Sequence, residues 1–137
     1  MHVRIGAPRG FQPDPEVLVR AQKLANSSGG SVQVHEDAKE VVADADVVAT
    51  DTWISMGQES SRRDREAIFV PYALTTALLG IADKEAIVLH CLPAYRGKEI
   101  DAAVIDGQQS AVWDEAENRR HVQKALLAFL DEQTRVM

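Results

Sequence analysis

Asp46-Val47-Val48-Ala49-Thr50-Asp51 and Glu85-Ala86-Ile87-Val88-Leu89-His90-Cys91 decide the fold. Each is a short apolar run that ends on a residue able to do chemistry. Neither alternates cleanly between apolar and polar positions, as expected of strands in a parallel sheet with helices on both faces. Parallel strands bring their carboxyl ends to one rim, and that rim is where open α/β sheets bind small ligands. Asp51 and Cys91 are therefore expected side by side. A carboxylate beside a sulfur suits a cationic or amine-bearing ligand. Each residue also has a plainer reading: an acid after a strand commonly caps the next helix, and a cysteine is often a small buried hydrophobe.

Working outward, Val3 to Ala7 reads as a strand followed by a Pro/Gly-rich turn. Asp14 is placed to cap a helix starting at Pro15, with Val17, Leu18, Ala21, Leu24 and Ala25 as its buried stripe. Ser27-Ser28-Gly29-Gly30 ends it. Ser31 to His35 is a short alternating strand, and Asp37 with Glu40 caps the helix leading to Val41-Val42. Ser55 to Arg65 is polar, contains Gly57 and reads as a surface loop entering a helix. Pro71 must interrupt or begin a helix. Tyr72 to Leu79 and Lys98 to Val104 then read as short helices, and Ala111-Val112-Trp113 as a final extended piece. Asp114 and Glu117 stand in capping-box spacing ahead of a last helix whose apolar stripe is Val122, Leu126, Phe129 and Leu130. The pattern is α/β, with an open, mostly parallel, Rossmann-like sheet.

Length and charge narrow the function. The 137 residues, 45% hydrophobic, suffice for one domain. A formal charge of −6 disfavours nucleic acid as a partner, because phosphate contacts need clustered cations. Arg62-Arg63 with Arg65 is the compact basic group and reads as part of a solvated loop. The single cysteine excludes an internal disulfide framework and fits a reducing compartment. With no 18-residue apolar run and no opening signal segment, no membrane partner is expected and the location expected is cytoplasmic. His2, His35, His90 and His121 are scattered without metal-ligand spacing.

Three blocks carry a resemblance. Asp51-Thr52-Trp53-Ile54-Ser55-Met56-Gly57-Gln58-Glu59 resembles the Asp-x-Trp-x-Ser-Met-Gly loop of the aspartate/ornithine carbamoyltransferase family, His90 to Ala94 resembles its His-Cys-Leu-Pro segment, and Asp114 to Arg119 resembles its closing Glu-Asn-Arg element. The Ser-Met-Gly loop and the cysteine point to the ornithine carbamoyltransferase branch rather than to the aspartate or putrescine branches. The resemblance implies that this chain is the carboxyl-terminal, ornithine-binding domain. The Ser-x-Arg-Thr-Arg and His-Pro-x-Gln segments of the family's amino-terminal domain do not occur here. Nor does the strand with an Asp-Gly-Asn-Asn turn that opens the ornithine-binding domain. The sheet is thus expected to lack its first central strand, between Val3-Arg4-Ile5 and the Asp46 strand.

The resemblance also implies roles. Cys91 and Arg119 are the expected catalytic pair, Cys91 positioning ornithine's reactive amine and Arg119 reaching carbamoyl phosphate. Asp51, Ser55, Met56, Cys91, Leu92 and Arg119 are the expected substrate contacts. Plainer readings stand beside these: Met56 fills an apolar gap, Ser55 bonds its own loop, and Arg119 pairs with Glu115 or is an exposed charge. Arg96 is expected to orient the adjoining loop. Two positions depart from the family pattern. Tyr72-Ala73-Leu74-Thr75 stands where Tyr-Gln-Val-Asn is common, and Tyr95 where a histidine is. No cofactor or metal is implied. The partners implied are ornithine, carbamoyl phosphate, the missing amino-terminal domain and, for the complete protein, a homotrimer. Alone, the chain is expected to be inactive. A noncatalytic interaction or regulatory module on the same fold is the alternative. An unrelated nucleotide-binding enzyme is disfavoured by the absent Gly-rich opening turn.

Overall fold

Parallel pairing joins the strands two by two. A computed structural model of the chain describes residues 1–54 and 62–135. β1 (His2–Gly6) pairs with β2 (Ser31–His35), and β3 (Val47–Thr50) pairs with β4 (Ile87–His90), both in parallel. Among the described residues no ladder joins the two pairs. The expected open, parallel α/β architecture is present, in two halves.

Helix α1 (Pro15–Ser27) connects β1 to β2, and α2 (Ala38–Val42) connects β2 to β3. α3 (Arg62–Phe69), a 3₁₀ turn (Val70–Tyr72) and α4 (Thr76–Leu79) lie between β3 and β4, and α5 (Ala102–Ile105) and α6 (Val112–Arg135) follow β4. Local chemistry sets the helix starts. Asp14 accepts from the Glu16 N–H at 2.8 Å and Asp37 from the Lys39 N–H at 2.9 Å. Glu40 does not complete a capping box at α2; its carboxylate bonds His35 Nδ1 at 2.8 Å instead.

The halves are tied by polar bonds from long side chains. Arg4 donates to the carbonyls of Glu40 and Ala43 at 3.0 and 2.6 Å, satisfying acceptors at the end of α2. Tyr72 donates its hydroxyl to the Glu36 carbonyl at 2.6 Å.

The core gathers on one half. Val42, Val48, Leu74, Leu79, Val88, Ile100, Val104, Ile105 and Val112 form one buried cluster around β3 and β4. One face of this pair is fully covered, and the other is only flanked by α6 beside Ile87 and Leu89. Val48, Val88 and His90 are buried, whereas Val47 and Ile87 on the other face are 50% and 42% exposed. The expectation of helices on both faces is therefore met only in part. α1 buries none of its residues, and Val17 and Leu24 of its expected stripe are exposed. A two-stranded sheet is too narrow to shield a whole helical face.

Other elements also depart from expectation. No helix spans Tyr72 to Leu79: Leu74 runs extended beside Ile100, and Thr75 caps the short α4 by accepting from the Leu78 N–H at 3.1 Å. Lys98 to Ile100 is loop, so α5 begins only after Asp101. Ala111 donates to the Val88 carbonyl at 2.9 Å, but Val112 and Trp113 already belong to α6, so Asp114 and Glu117 lie inside the helix and cap nothing. Glu117 pairs with Arg120 and His121. The stripe Val122, Leu126, Phe129 and Leu130 is 49–65% exposed. The basic group at residues 62–65 lies in α3 rather than in a loop, with the Arg65 guanidinium 5.3 Å from the Phe11 ring centroid. No helix among the described residues is long and apolar enough to cross a membrane.

Candidate functional site

Strand register brings the two chemical residues together. Thr50 is the partner of His90 across the β3–β4 ladder, so the chain leaves both strands at one level and Asp51 meets Cys91. The Cys91 thiol donates to Asp51 Oδ1 at 3.1 Å. Asp51 also accepts from the Thr52 N–H, so it caps its own turn rather than a helix. The hydrogen bond to Asp51 pushes the Cys91 thiol above its ordinary pKa; desolvation and the charges of Asp51 and Glu115 add to this, and Arg119 opposes it. At neutral pH this sulfur is a protonated donor. Such a thiol can orient a ligand, and it is poorly suited to covalent attack.

The opening turns of α6 hold the backbone on either side of that thiol. Glu115 accepts from the His90 N–H at 2.9 Å, and Arg119 donates to the Cys91 carbonyl at 2.7 Å. These residues are four apart and so share one helix face. Among the described residues Arg119 makes no ion pair with Glu115; it is an exposed residue whose guanidinium bonds the Cys91 carbonyl.

Leu92 follows in the left-handed region, at φ 56°, and packs its side chain against the core with Ala94. Ser55 and Met56 lie outside the described residues. Arg96 forms a two-pronged pair with Asp106, at 3.0 and 2.7 Å, which holds the loop against α5 as expected. That contact lowers the Asp106 pKa and raises that of Arg96.

Two features escaped sequence reasoning. Trp53 stacks on Phe69 at 6.3 Å, and Phe69 meets Phe11 edge-on at 5.0 Å, so an aromatic cluster holds Trp53, two residues after Asp51. The other feature is a buried pair, His90 with Glu99, at 3.3 Å. Strand alternation from buried Val88 to His90 was its only signal. An inward histidine needs a partner.

The two departures from the family pattern have structural roles. Leu74 is a core residue, and Thr75 is a helix cap, a task that asparagine performs equally well. Tyr95 donates its N–H to Glu99 and sets its ring beside Lys98 Nζ at 5.9 Å.

Donor atoms of Asp51, His90 and Cys91 lie within 4.8 Å of one another. They do not make a free metal-ligand set. His90 Nδ1 accepts the Leu92 N–H at 2.9 Å, Nε2 faces Glu99, and the thiol is spent on Asp51. A neutral imidazole has only one acceptor nitrogen, and here it is used.

Taken together, the parallel strands, the acid and thiol at adjacent strand ends and the arginine beside them give an α/β domain with a candidate small-molecule site at its carboxyl rim. The family described as Aspartate/ornithine carbamoyltransferase, Asp/Orn binding domain, matches residues 1–130, and the chain belongs to that family. Similar chains bear this out. Ornithine carbamoyltransferase of Renibacterium salmoninarum is 58% identical over 134 residues, a match covering 98% of this chain and 43% of that protein. The solved ornithine carbamoyltransferase of Pyrococcus furiosus is 45% identical with a TM-score of 0.87, covering 93% of this chain and 41% of that one. The anabolic enzyme of Campylobacter jejuni gives 39% identity and a TM-score of 0.88, over 96% and 44% of the two chains. The chain thus spans about two fifths of the length of such relatives.

Proposed function

We propose that residues 1–137 are an ornithine-binding part of an ornithine carbamoyltransferase. The observation that carries this reading is the 3.1 Å contact between the Cys91 thiol and the Asp51 carboxylate at one strand rim, with Arg119 anchored on the Cys91 carbonyl. Asp51 offers a carboxylate to an ammonium group of the amino acid. Cys91 orients the neutral δ-amine, Leu92 shapes the wall, and Ser55 and Met56 are further substrate contacts.

In the complete enzyme that amine attacks the carbonyl carbon of carbamoyl phosphate. A C–N bond forms, the C–O bond to phosphate breaks and the amine gives up a proton, leaving citrulline and phosphate. Holding the reactants together supplies part of the acceleration, and the Arg119 guanidinium stabilises charge developing on oxygen. The rest of the phosphate-binding cations belong to an amino-terminal domain, and the whole assembles as a cytoplasmic homotrimer. The exposed α6 stripe is the surface offered to that domain. The reaction calls for no metal or cofactor.

The test is citrulline formation from ornithine and carbamoyl phosphate, first with this chain and then with the amino-terminal domain added. Silence alone and turnover on complementation is the expected result, with Asp51→Ala, Cys91→Ala and Arg119→Ala each falling by about 10²-fold or more. Turnover by the chain alone, or complemented turnover indifferent to all three substitutions, would overturn the reading.

A further inference from the structure

We infer that His90 and Glu99 are positioning residues that fix the direction of the Cys91 thiol. Both side chains are buried, each residue only 1% exposed. Glu99 Oε1 stands 3.3 Å from His90 Nε2 and 2.5 Å from the Tyr95 N–H that bonds to it. On its other side the imidazole meets the Leu92 N–H, 2.9 Å from Nδ1. A backbone N–H can only donate, so these partners assign the lone pair to Nδ1 and the proton to Nε2. Glu99 therefore sets the tautomer, and the tautomer supplies the acceptor that the turn requires.

That turn needs the support. Leu92 sits at φ 56°, a conformation that side chains with a Cβ rarely adopt and that persists only when its surroundings over-determine it. Three bonds determine it here: Glu115 to the His90 N–H, Arg119 to the Cys91 carbonyl, and His90 Nδ1 to the Leu92 N–H. The first two act from α6 at the surface. The third is the only one that reaches the turn from the core, and it depends on Glu99. Without Glu99, the Nε2 proton is buried without an acceptor, the ring gains a reason to turn over, and the thiol loses its alignment with Asp51. A buried polar pair of this kind is weak as a source of stability, so its use is more naturally geometric.

The inference goes beyond the ornithine reading and does not need it to be right. Cys91 is the only cysteine in the chain, so its rate of alkylation by iodoacetamide reports this thiol without any substrate. The full chain is used, below its unfolding transition. Release from Asp51 lowers the thiol pKa and enlarges the thiolate share, partly offset by lower nucleophilicity, and the alkylation rate is expected to rise about threefold. Glu99→Ala is expected to show at least that gain. Val104→Ala, a core truncation away from the pair, is expected to lower the unfolding temperature and leave alkylation of the folded chain unchanged.

If Glu99→Ala does not fold, two substitutions at His90 decide. His90→Asn keeps an acceptor near the Nδ1 position and is expected to hold the parent rate. His90→Gln reaches Glu99 but gives up the turn acceptor, and is expected to alkylate about threefold faster, by the same reasoning. Equal rates in Glu99→Ala and Val104→Ala, or in His90→Asn and His90→Gln, would overturn the inference.

Discussion

The two strand pairs are alike in direction and nearly alike in length, yet they are built to different standards. β3 and β4 bury Val48, Val88 and His90 against the cluster that includes Leu74, Ile100, Ile105 and Val112. In the first 41 residues only Ala7 and Pro8 are buried. Every described residue assigned to the site leaves from β3, from β4 or from α6 beside them. The difference teaches where precision is needed: a thiol 3.1 Å from its carboxylate is held by rigid, close-packed elements. The β1–β2 half holds its shape through caps, the Arg4 bonds and the Tyr72 hydroxyl, which are bonds at its periphery.

The sharpest way to break this comparison is to remove equal chemistry from both halves. Ile105→Ala empties a fully buried position and is expected to cost about 3 kcal/mol, within the range for such core truncations. Val32→Ala removes a half-buried side chain of β2 and is expected to cost about 1 kcal/mol or less. Urea unfolding of both variants decides. Similar losses would mean that the β1–β2 half is packed as firmly as its neighbour.

Alkaline titration separates the halves more gently. The Cys91 thiol pKa is raised, mainly by its bond to Asp51, and the Tyr72 hydroxyl pKa is raised by burial and by the charges of Glu36 and Asp37. Both groups are neutral when protonated, and folding favours that form. Each therefore contributes stability that is complete below its ordinary pKa and lost as pH rises through the raised value. Cys91→Ala is expected to flatten the alkaline decline from the ordinary thiol range upward. Tyr72→Phe acts only in the higher range of a phenol. Unfolding midpoints followed across alkaline pH test this, and a decline unchanged in Cys91→Ala would show that the thiol is not linked to folding.

Much of this was legible in the chain. Apolar runs ending in Asp51 and Cys91 placed both residues on one rim, because parallel strands leave no other arrangement. Asp14-Pro15 and Asp37 marked helix starts through short-range bonding, which sequence reports well. Glu99 was not legible. It sits in an irregular loop without periodicity, and its importance arises from a contact with His90 that only the tertiary fold creates. The α6 stripe was legible as apolar but its exposure was not, since periodicity describes a face and cannot say what covers it. The same limit explains α1, whose stripe meets a sheet of two strands.

The smallest expected effect probes that last distinction. Leu126 and Phe129 of α6 are both 55% exposed, in contrast to Val112 at the start of the same helix, which is fully buried. Surface truncations away from caps and cores usually fall within about 0.5 kcal/mol of neutral. Leu126→Ala and Phe129→Ala are therefore expected to leave the unfolding free energy of this chain almost unchanged. The same two variants are expected to weaken capture of the amino-terminal domain in the complementation assay, because an apolar stripe contributes when a partner covers it. A loss of about 2 kcal/mol in the chain alone, the size expected when a buried side chain is emptied, would mean that the stripe is already covered in solution. Dilution would then lower the unfolding midpoint, because that covering would come from a second copy of the chain.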